Sequence, residues 1–536
     1  MKRNLFTGIC LILFSNIAMA QNANIFTSEL ALREIGTNNY EVAFTLNADA
    51  TNVEMNIYRE GTLIKTVPFG AMEKGRQTQT ISTAELPNAE LTWELTAYGA
   101  VGEATPTKFS NDSDPLTRFA NTRGIAVDRS TESPYFGRIY VASSAPGTAS
   151  GRTTGNGIYI LDAALTDITQ QADNAYAGNV DWASSSSPMR TFVAEDGRVF
   201  MADWSDGHSG IWIMDPANPQ ADFTAVFGGV HNSSGLSSID GVAIHGSISN
   251  CYVEGTGENT VLYTIDEDYT GAPLVNAMGI LKYDIGTTDL PWVAAPSGTV
   301  FDNKDKLIQN ACNVLLKDKT GGWWISQYRY DETAAIPSLI HVNAEGDVDY
   351  NAGEKKFYAH PWRGGLALSY DQTKLAIGCE KEIYVFNLSY DENNIPSLEK
   401  LYTISTGWSN SYALAFDIAD NIYLAADANG IGAWALPKAE NKCTVPAPST
   451  LTLQGGISTG IEDTYDAGIA IGPNPVNNEL LISGHQIDNV EVYDISGKAV
   501  YRATGLATEQ WTIDTSSWNK GVYIVKVNNQ VKQIIK

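Results

Sequence analysis

The densest gathering of groups able to hold a metal is the run Asp203-Trp204-Ser205-Asp206-Gly207-His208. Two carboxylates and an imidazole so close together offer the oxygen and nitrogen donors that a divalent cation such as calcium takes. Asp, Gly and Ser are equally the residues of an ordinary turn, so Asp203, Asp206 and His208 predict either a small metal site or plain turn chemistry. A second set is dispersed along the chain. Arg123, Arg190, Asp240, Trp362-Arg363 and Asn410 each stand just ahead of an apolar run, with Trp408 nearby. Brought side by side, they would rim one opening with guanidinium, carboxylate, amide and indole groups, able to grip a glycan or a carboxylate. The same arginines could instead brace neighbouring elements. There is no phosphate loop or dinucleotide fingerprint.

What would bring these positions together is an internal repeat. One copy reads Gly124-Ile125-Ala126-Val127-Asp128, Arg138-Ile139-Tyr140-Val141-Ala142 and Gly157-Ile158-Tyr159-Ile160-Leu161-Asp162. The next reads Thr191 to Gly197, Arg198 to Ala202 and Gly210 to Asp215, and further copies start at Gly241, Asn313, Leu366 and Ala413. About six copies spaced 47 to 72 residues apart, each with short strands split by Asp- or Gly-bearing turns, describe the blades of a β-propeller. A solenoid fits less well, because the units lack a helix or a short fixed period. Function in a propeller is sought where its innermost strands begin, which is where the dispersed set falls. If the ring begins on the innermost strand at Gly124, its last blade lacks an outer strand. Thr105 to Phe109 or Leu451-Thr452-Leu453 could supply it, and the upstream segment is preferred.

Ahead of the propeller, runs such as Tyr40 to Leu46, Val53 to Tyr58 and Leu91 to Tyr98 alternate apolar and polar residues between Gly61, Gly70, Gly75 and Pro87. About six such strands predict an immunoglobulin-like (Ig-like) sandwich. It is similar to the FlgD-type Ig-like modules of secreted bacterial proteins, which implies a spacer or packing partner. Behind the propeller, the Pro- and Gly-bearing stretch from Thr444 reads as a linker.

Past residue 471 the pattern becomes specific. Pro473-Asn474-Pro475 opens onto Leu480-Leu481-Ile482, Tyr493-Asp494 turns through Gly497-Lys498, and Gly521-Val522-Tyr523-Ile524-Val525-Lys526-Val527 alternates before a lysine-bearing end. These motifs, in this order, resemble the type A C-terminal sorting domain of the type IX secretion system of Bacteroidota. The sequence departs from that pattern at Gly472, where the family often has an aromatic residue. The resemblance covers about an eighth of the chain. It implies a small β-sandwich, export across the outer membrane by the type IX machinery, and removal of the domain by a sortase-like peptidase, with release or anchoring at the cell surface.

The other end agrees with that route. Lys2 and Arg3, an apolar run to Phe14 and Ala18-Met19-Ala20 read as a cleaved signal peptide leading into the periplasm, and no later run is long enough to span a bilayer. The expected organisation is all-β: signal 1–20, Ig-like sandwich 21–112, propeller 113–443, linker 444–470 and sorting domain 471–536. A net charge of -26 argues against nucleic acid or an anionic membrane as partner and suits a soluble surface. Cys251, Cys312, Cys379 and Cys443 allow disulfides without selecting a pairing, or serve as small core residues. The expected function is that of a secreted or outer-membrane-surface protein whose propeller binds a glycan or protein without catalysis. The alternative is a metal-dependent hydrolase or lactonase of the gluconolactonase-like kind, acting on a sugar-derived substrate, for which Asp240 and Asn313 are the available inner-strand ligands.

Overall fold

The computed structural model describes residues 23–169, 174–182, 187–204, 210–228, 238–239, 242–243, 248–266, 269, 278–287, 290–291, 296–309, 313–327, 336–355, 364–408, 410–453, 469–495, 497–528 and 530–536. The expected signal peptide lies outside them. The chain forms two compact units that divide after Leu453.

The first unit begins with β1 (Thr27–Gly36), β2 (Asn39–Leu46), β3 (Ala50–Arg59), β4 (Thr62–Met72), β5 (Gly75–Ser82) and β6 (Glu90–Tyr98). Strands β1, β2 and β5 make one sheet, while β4, β3 and β6 belong to another. Period-two patterning sends Val53, Met55 and Ile57 of β3 into the shared core with Phe44 and Trp93. The second sheet is completed from far along the chain. Lys442–Pro446 pairs with the C-terminal half of β6, and Leu451–Thr452 pairs with its start. This corrects the expected boundary, because residues assigned to the propeller's end and to the linker are strands of the sandwich. Val445 and Leu451 are each 1% exposed there, and Pro446 ends its strand, where a missing N–H is tolerated.

Six sheets make the propeller, and their inner strands follow one another around a ring. Blade 1 is Thr122–Val127, Ile139–Ser143 and Gly157–Leu161, with Tyr176 bridged to Ile158 on the outside. Blade 2 is Thr191–Val193, Val199–Asp203, Gly210–Met214 and Thr224–Ala225. Blade 4 runs from Asn313–Lys317 to Val348–Asn351, and blade 5 from Leu366–Leu368 to Pro396–Ser405. Blade 6 holds Ala413–Phe416, Asn421–Ala425 and Ile431–Ala435, and its fourth strand is the upstream segment Thr107–Lys108, paired with Trp434 and Ala435.

Blade 3 departs from expectation. Its inner strand is Ile248–Glu254, which pairs with Val261–Asp266, not the Gly241-Val242-Ala243-Ile244 run. Val242–Ala243 instead pairs with Ser238–Ile239 in a sheet of two strands. Ser249 and Asn250 interrupt the apolar pattern of the true inner strand, and the register shifts between Ile248 and Asn250, as at a bulge.

The recurring Asp after an inner strand has a clear task. Asp417 Oδ1 accepts from the Ala419 and Asn421 amides at 2.8 and 3.0 Å, and Asp318 Oδ1 from Thr320 and Gly322 at 2.9 and 3.1 Å. Each carboxylate thereby shapes the turn into the second strand. Asp318 also ties two blades together. It faces His341 Nε2 at 2.8 Å while Asp349 faces Nδ1 at 2.6 Å, and Tyr390 of blade 5 donates its hydroxyl to the same aspartate. Burial alone would raise the Asp318 pKa, but bonds from His341, Thr320 and Tyr390 outweigh it and hold the carboxyl well below its usual range.

The second unit is one antiparallel sheet of five strands around a core that includes Leu480, Ile482, Val490, Val492 and Val525. Two long strands, Glu479–Asp494 and Ala499–Asp514, bend where their register shifts near Ile487.

Asp128 and Asp417 respond to pH in the sense opposite to Asp318. Burial pushes each up to about 6, although Ser133 and the Ser130 amide, or Asn421 and neighbouring amides, pull the other way. A carboxyl that is harder to ionise when folded stabilises fully below its unfolded pKa of about 4 and loses that contribution as pH rises through about 6. Two units correspond to about 2–3 kcal/mol per residue. The first unit is therefore expected to melt at a higher temperature at pH 5 than at pH 7.5, and Asp417→Asn should remove about half of that difference. A melting temperature that rises from pH 5 to 7.5 would contradict this.

Candidate functional site

Three of the residues expected at the strand-start mouth meet there. The Arg123 guanidinium stands 3.8 Å from the Tyr412 ring centroid and 3.8 Å from Asp427 Oδ1, and its Nε donates to Ser144 Oγ at 3.3 Å. Asn410 donates to the other Asp427 oxygen at 3.1 Å. Arg190, from blade 2, donates through Nη1 to the Arg123 carbonyl at 2.7 Å. Met189 and Tyr412 pack with Trp204 beside them. The arginines thus link blades 6, 1 and 2, which is the bracing role, and they leave an aromatic and polar rim.

Trp408 does not join this mouth. Its ring packs 6.3 Å from Trp434, on the third strand of blade 6, with Lys108 Nζ of the outer strand 4.2 Å from its centroid. Gly432 makes the room, since a Cβ there would come within 2.8 Å of the Trp408 ring. The apolar indole gains more from the inter-blade layer than from water. Asp240, Trp362 and Arg363 lie outside the described residues.

Between the two mouths the inner strands enclose a small cavity of about 50 Å³, lined from every blade by residues such as Ile125, Phe192, Cys251, Leu315, Leu366 and Leu414, with Arg190 and Asn250 as polar neighbours. That volume suits ordered water and no sugar-sized molecule. Cys251 is inert in this wall, its thiol pushed up to about 12 by burial. Of the expected metal loop, Asp203 is buried at the end of a blade 2 strand and takes the Ser187 hydroxyl. Asp206 and His208 lie outside the described residues, as does the side chain of Asn313. Among the described residues no three His, Cys, Asp or Glu side chains are grouped to hold a metal ion.

The opposite mouth, where the inner strands end, holds a residue that the sequence reading passed over. Arg129 follows Asp128 of blade 1, and its Nη1 donates at 2.9 Å to the carbonyl of Leu368, on blade 5. The side chain therefore reaches past blade 6 at that end of the axis. Tyr252 of blade 3 and Tyr370 of blade 5 lie close enough to act on its charge. The available signal was a cation placed directly after a strand-ending aspartate.

In the second unit, the expected signal residues fall at two turns and along, or directly ahead of, the strand Val522–Val527. Asn474, between Pro473 and Pro475, accepts the Ile535 amide at 2.8 Å, tying the opening turn to the last strand. Asp494 accepts the Lys498 amide at 3.1 Å while Gly497 turns with φ of +80°. Gly521 exchanges backbone bonds with Lys536, Tyr523 donates to the Asn519 carbonyl at 2.8 Å, and Lys526 is exposed.

Residues 470–536 match the family described as Secretion system C-terminal sorting domain. No curated protein matches the chain. Among solved structures, it is similar to a protein of unknown function from Bacteroides thetaiotaomicron, with 11% identity, 77% of this chain and 98% of that one covered, and a TM-score of 0.36. An auxiliary nutrient binding protein from the same species gives 10% identity, 76% and 98% coverage and a TM-score of 0.37. A gluconolactonase from Xanthomonas campestris gives 10%, 63% and 91%, and 0.36. Fold and tail define the class: an exported β-propeller protein. The sorting domain marks it for the type IX secretion machinery and for delivery to the cell surface or beyond. Among the described residues no helix is long and apolar enough to cross a membrane.

Removing residues 470–536 should strand the protein in the periplasm. Cell fractionation checks this, and undiminished appearance at the surface or in the medium would contradict it.

Proposed function

We propose that this protein is a non-catalytic binder of an extracellular ligand, a glycan first among the candidates, carried outside the cell by its sorting domain. The supporting observation is the narrow cavity between the inner strands. At about 50 Å³ it admits little more than water, so a larger ligand would be met at the mouths and rim, where binding needs side chains that pack and donate without reacting. Arg123 and Asn410 offer such groups at the strand-start mouth, held against Asp427 and the buried Tyr412, with Arg190, Asp240, Trp362 and Arg363 as further candidates from the sequence. A groove of about 430 Å³ at the rim adds Tyr402, Trp434, Lys108, Thr105 and Thr403, an aromatic and hydroxyl lining that suits a sugar. In this reading the N-terminal sandwich is an Ig-like support for the disc, and residues 454–468 contain the point where the sorting domain is detached.

The purified full chain, applied to a broad glycan array with Arg123→Ala and Arg363→Ala as variants, tests the reading. Binding of a glycan class, weakened tenfold or more by a mouth variant and insensitive to chelator, is expected. Binding of nothing on the array, or turnover of a bound sugar that stops with chelator, would contradict it.

A further inference from the structure

We propose that Arg129 makes the strand-end mouth an oxyanion subsite, taking the carboxylate or sulfate of an acidic sugar. The inference rests on the glycan-binding reading above and adds the charge class of the ligand. Several other propeller arginines face a carboxylate: Arg123 meets Asp427, Arg138 meets Glu29 at 2.7 Å, Arg152 meets Asp167, and Arg198 meets Asp196 at 2.8 Å, while Arg190 donates to the Arg123 carbonyl. Arg129 has no such partner among the described residues. In a chain with 61 acidic side chains against 35 basic ones, that is unexpected.

Asp417, the acid that acts on its charge, is held by other groups. Both Asp417 oxygens are engaged, one by the Ala419 and Asn421 amides and the other by Asn421 Nδ2 at 2.6 Å and the Tyr423 hydroxyl at 2.9 Å. The Leu368 carbonyl fixes Nη1 and so orients the group, leaving the Nε and Nη2 edge, whose two parallel N–H bonds match the two oxygens of a carboxylate or of a sulfate. Holding a half-buried cation against one neutral carbonyl is costly unless an anion arrives. Tyr370, 52% exposed, and the half-buried Tyr252 supply aromatic surface for the ring that carries the charge. The net charge of -26 repels a dense polyanion, so the ligand is one whose charged groups are spaced by neutral units.

Calorimetric titration of the full chain with a galacturonic acid trisaccharide, its methyl ester and a singly sulfated neutral trisaccharide tests this. The acid, the sulfated sugar or both should bind at least tenfold more tightly than the ester. Arg129→Met should erase that preference while leaving ester binding, Arg129→Lys should retain part of it, and Arg33→Met on the sandwich should change nothing. Equal affinity for all three sugars, or a preference that survives Arg129→Met in a protein that melts normally, would overturn the subsite while leaving glycan binding intact. If no trisaccharide binds, the glycan reading falls, and free glucuronate and sulfate read the subsite alone. A rise in melting temperature with either ion, absent with glucose and absent in Arg129→Met, supports it, and no rise in the wild type overturns it.

Discussion

A ring of sheets is only as firm as the joint where its two ends meet, and here the chain closes that joint from several directions. Thr107–Lys108 completes blade 6 from upstream, and the Thr122 amide bonds the Asp427 carbonyl at 3.1 Å across the junction of blades 1 and 6. The sandwich then clasps the same place. Asn24 exchanges bonds with Asn421 at 2.9 and 2.8 Å, and Asn441 accepts the Ile25 amide at 2.7 Å. Because β6 lies before the ring and Lys442–Pro446 after it, pairing the two brings together the chain segments that enter and leave the propeller. Opening the ring would therefore mean tearing a sheet of the sandwich, and the buried asparagines would lose partners that water cannot easily replace.

Closure in turn determines what the axis can do. The six inner strands line a cavity of about 50 Å³, too small for a sugar, and the larger polar surfaces lie at the two mouths. The mouths differ in electrostatic character. At one, Arg123 and Asp427 pair beside the buried Tyr412, with Asn410 on the same carboxylate. At the other, Arg129 donates to a carbonyl and is paired with no carboxylate among the described residues. The turn aspartates that build this second face are costly to ionise, which is the cost of setting carboxylates where inner strands end under a covering domain.

Much of this was legible in the residues. Runs such as Gly124 to Asp128 and Ala413 to Asp417 carry strand and turn together, and the sorting motifs fall in an order few other sequences share. What escaped shows the limits of local pattern. The inner strand of blade 3 hid behind Ser249 and Asn250, polar residues that a bulge accommodates. Residues 444–446 looked like linker because of their proline, Lys442 and Cys443 looked like the propeller's end, and only an edge on β6, nearly 350 residues earlier in the chain, makes them one strand. Trp408 was assigned to the rim by nearness in sequence, whereas Gly432 had opened a better place for it inside the blade. Arg129 drew no notice, and nothing before ring closure says that it reaches another blade.

The most direct test of this account compares chains ending at Leu453 and at Leu436 by thermal and denaturant unfolding. Val445 and Leu451 are both nearly fully buried, and losing them should cost about 3–6 kcal/mol from apolar burial alone, with sandwich and propeller signals falling together. If the shorter chain unfolds at the same point as the longer one, the two strands do not clasp the ring and the account of its closure is wrong.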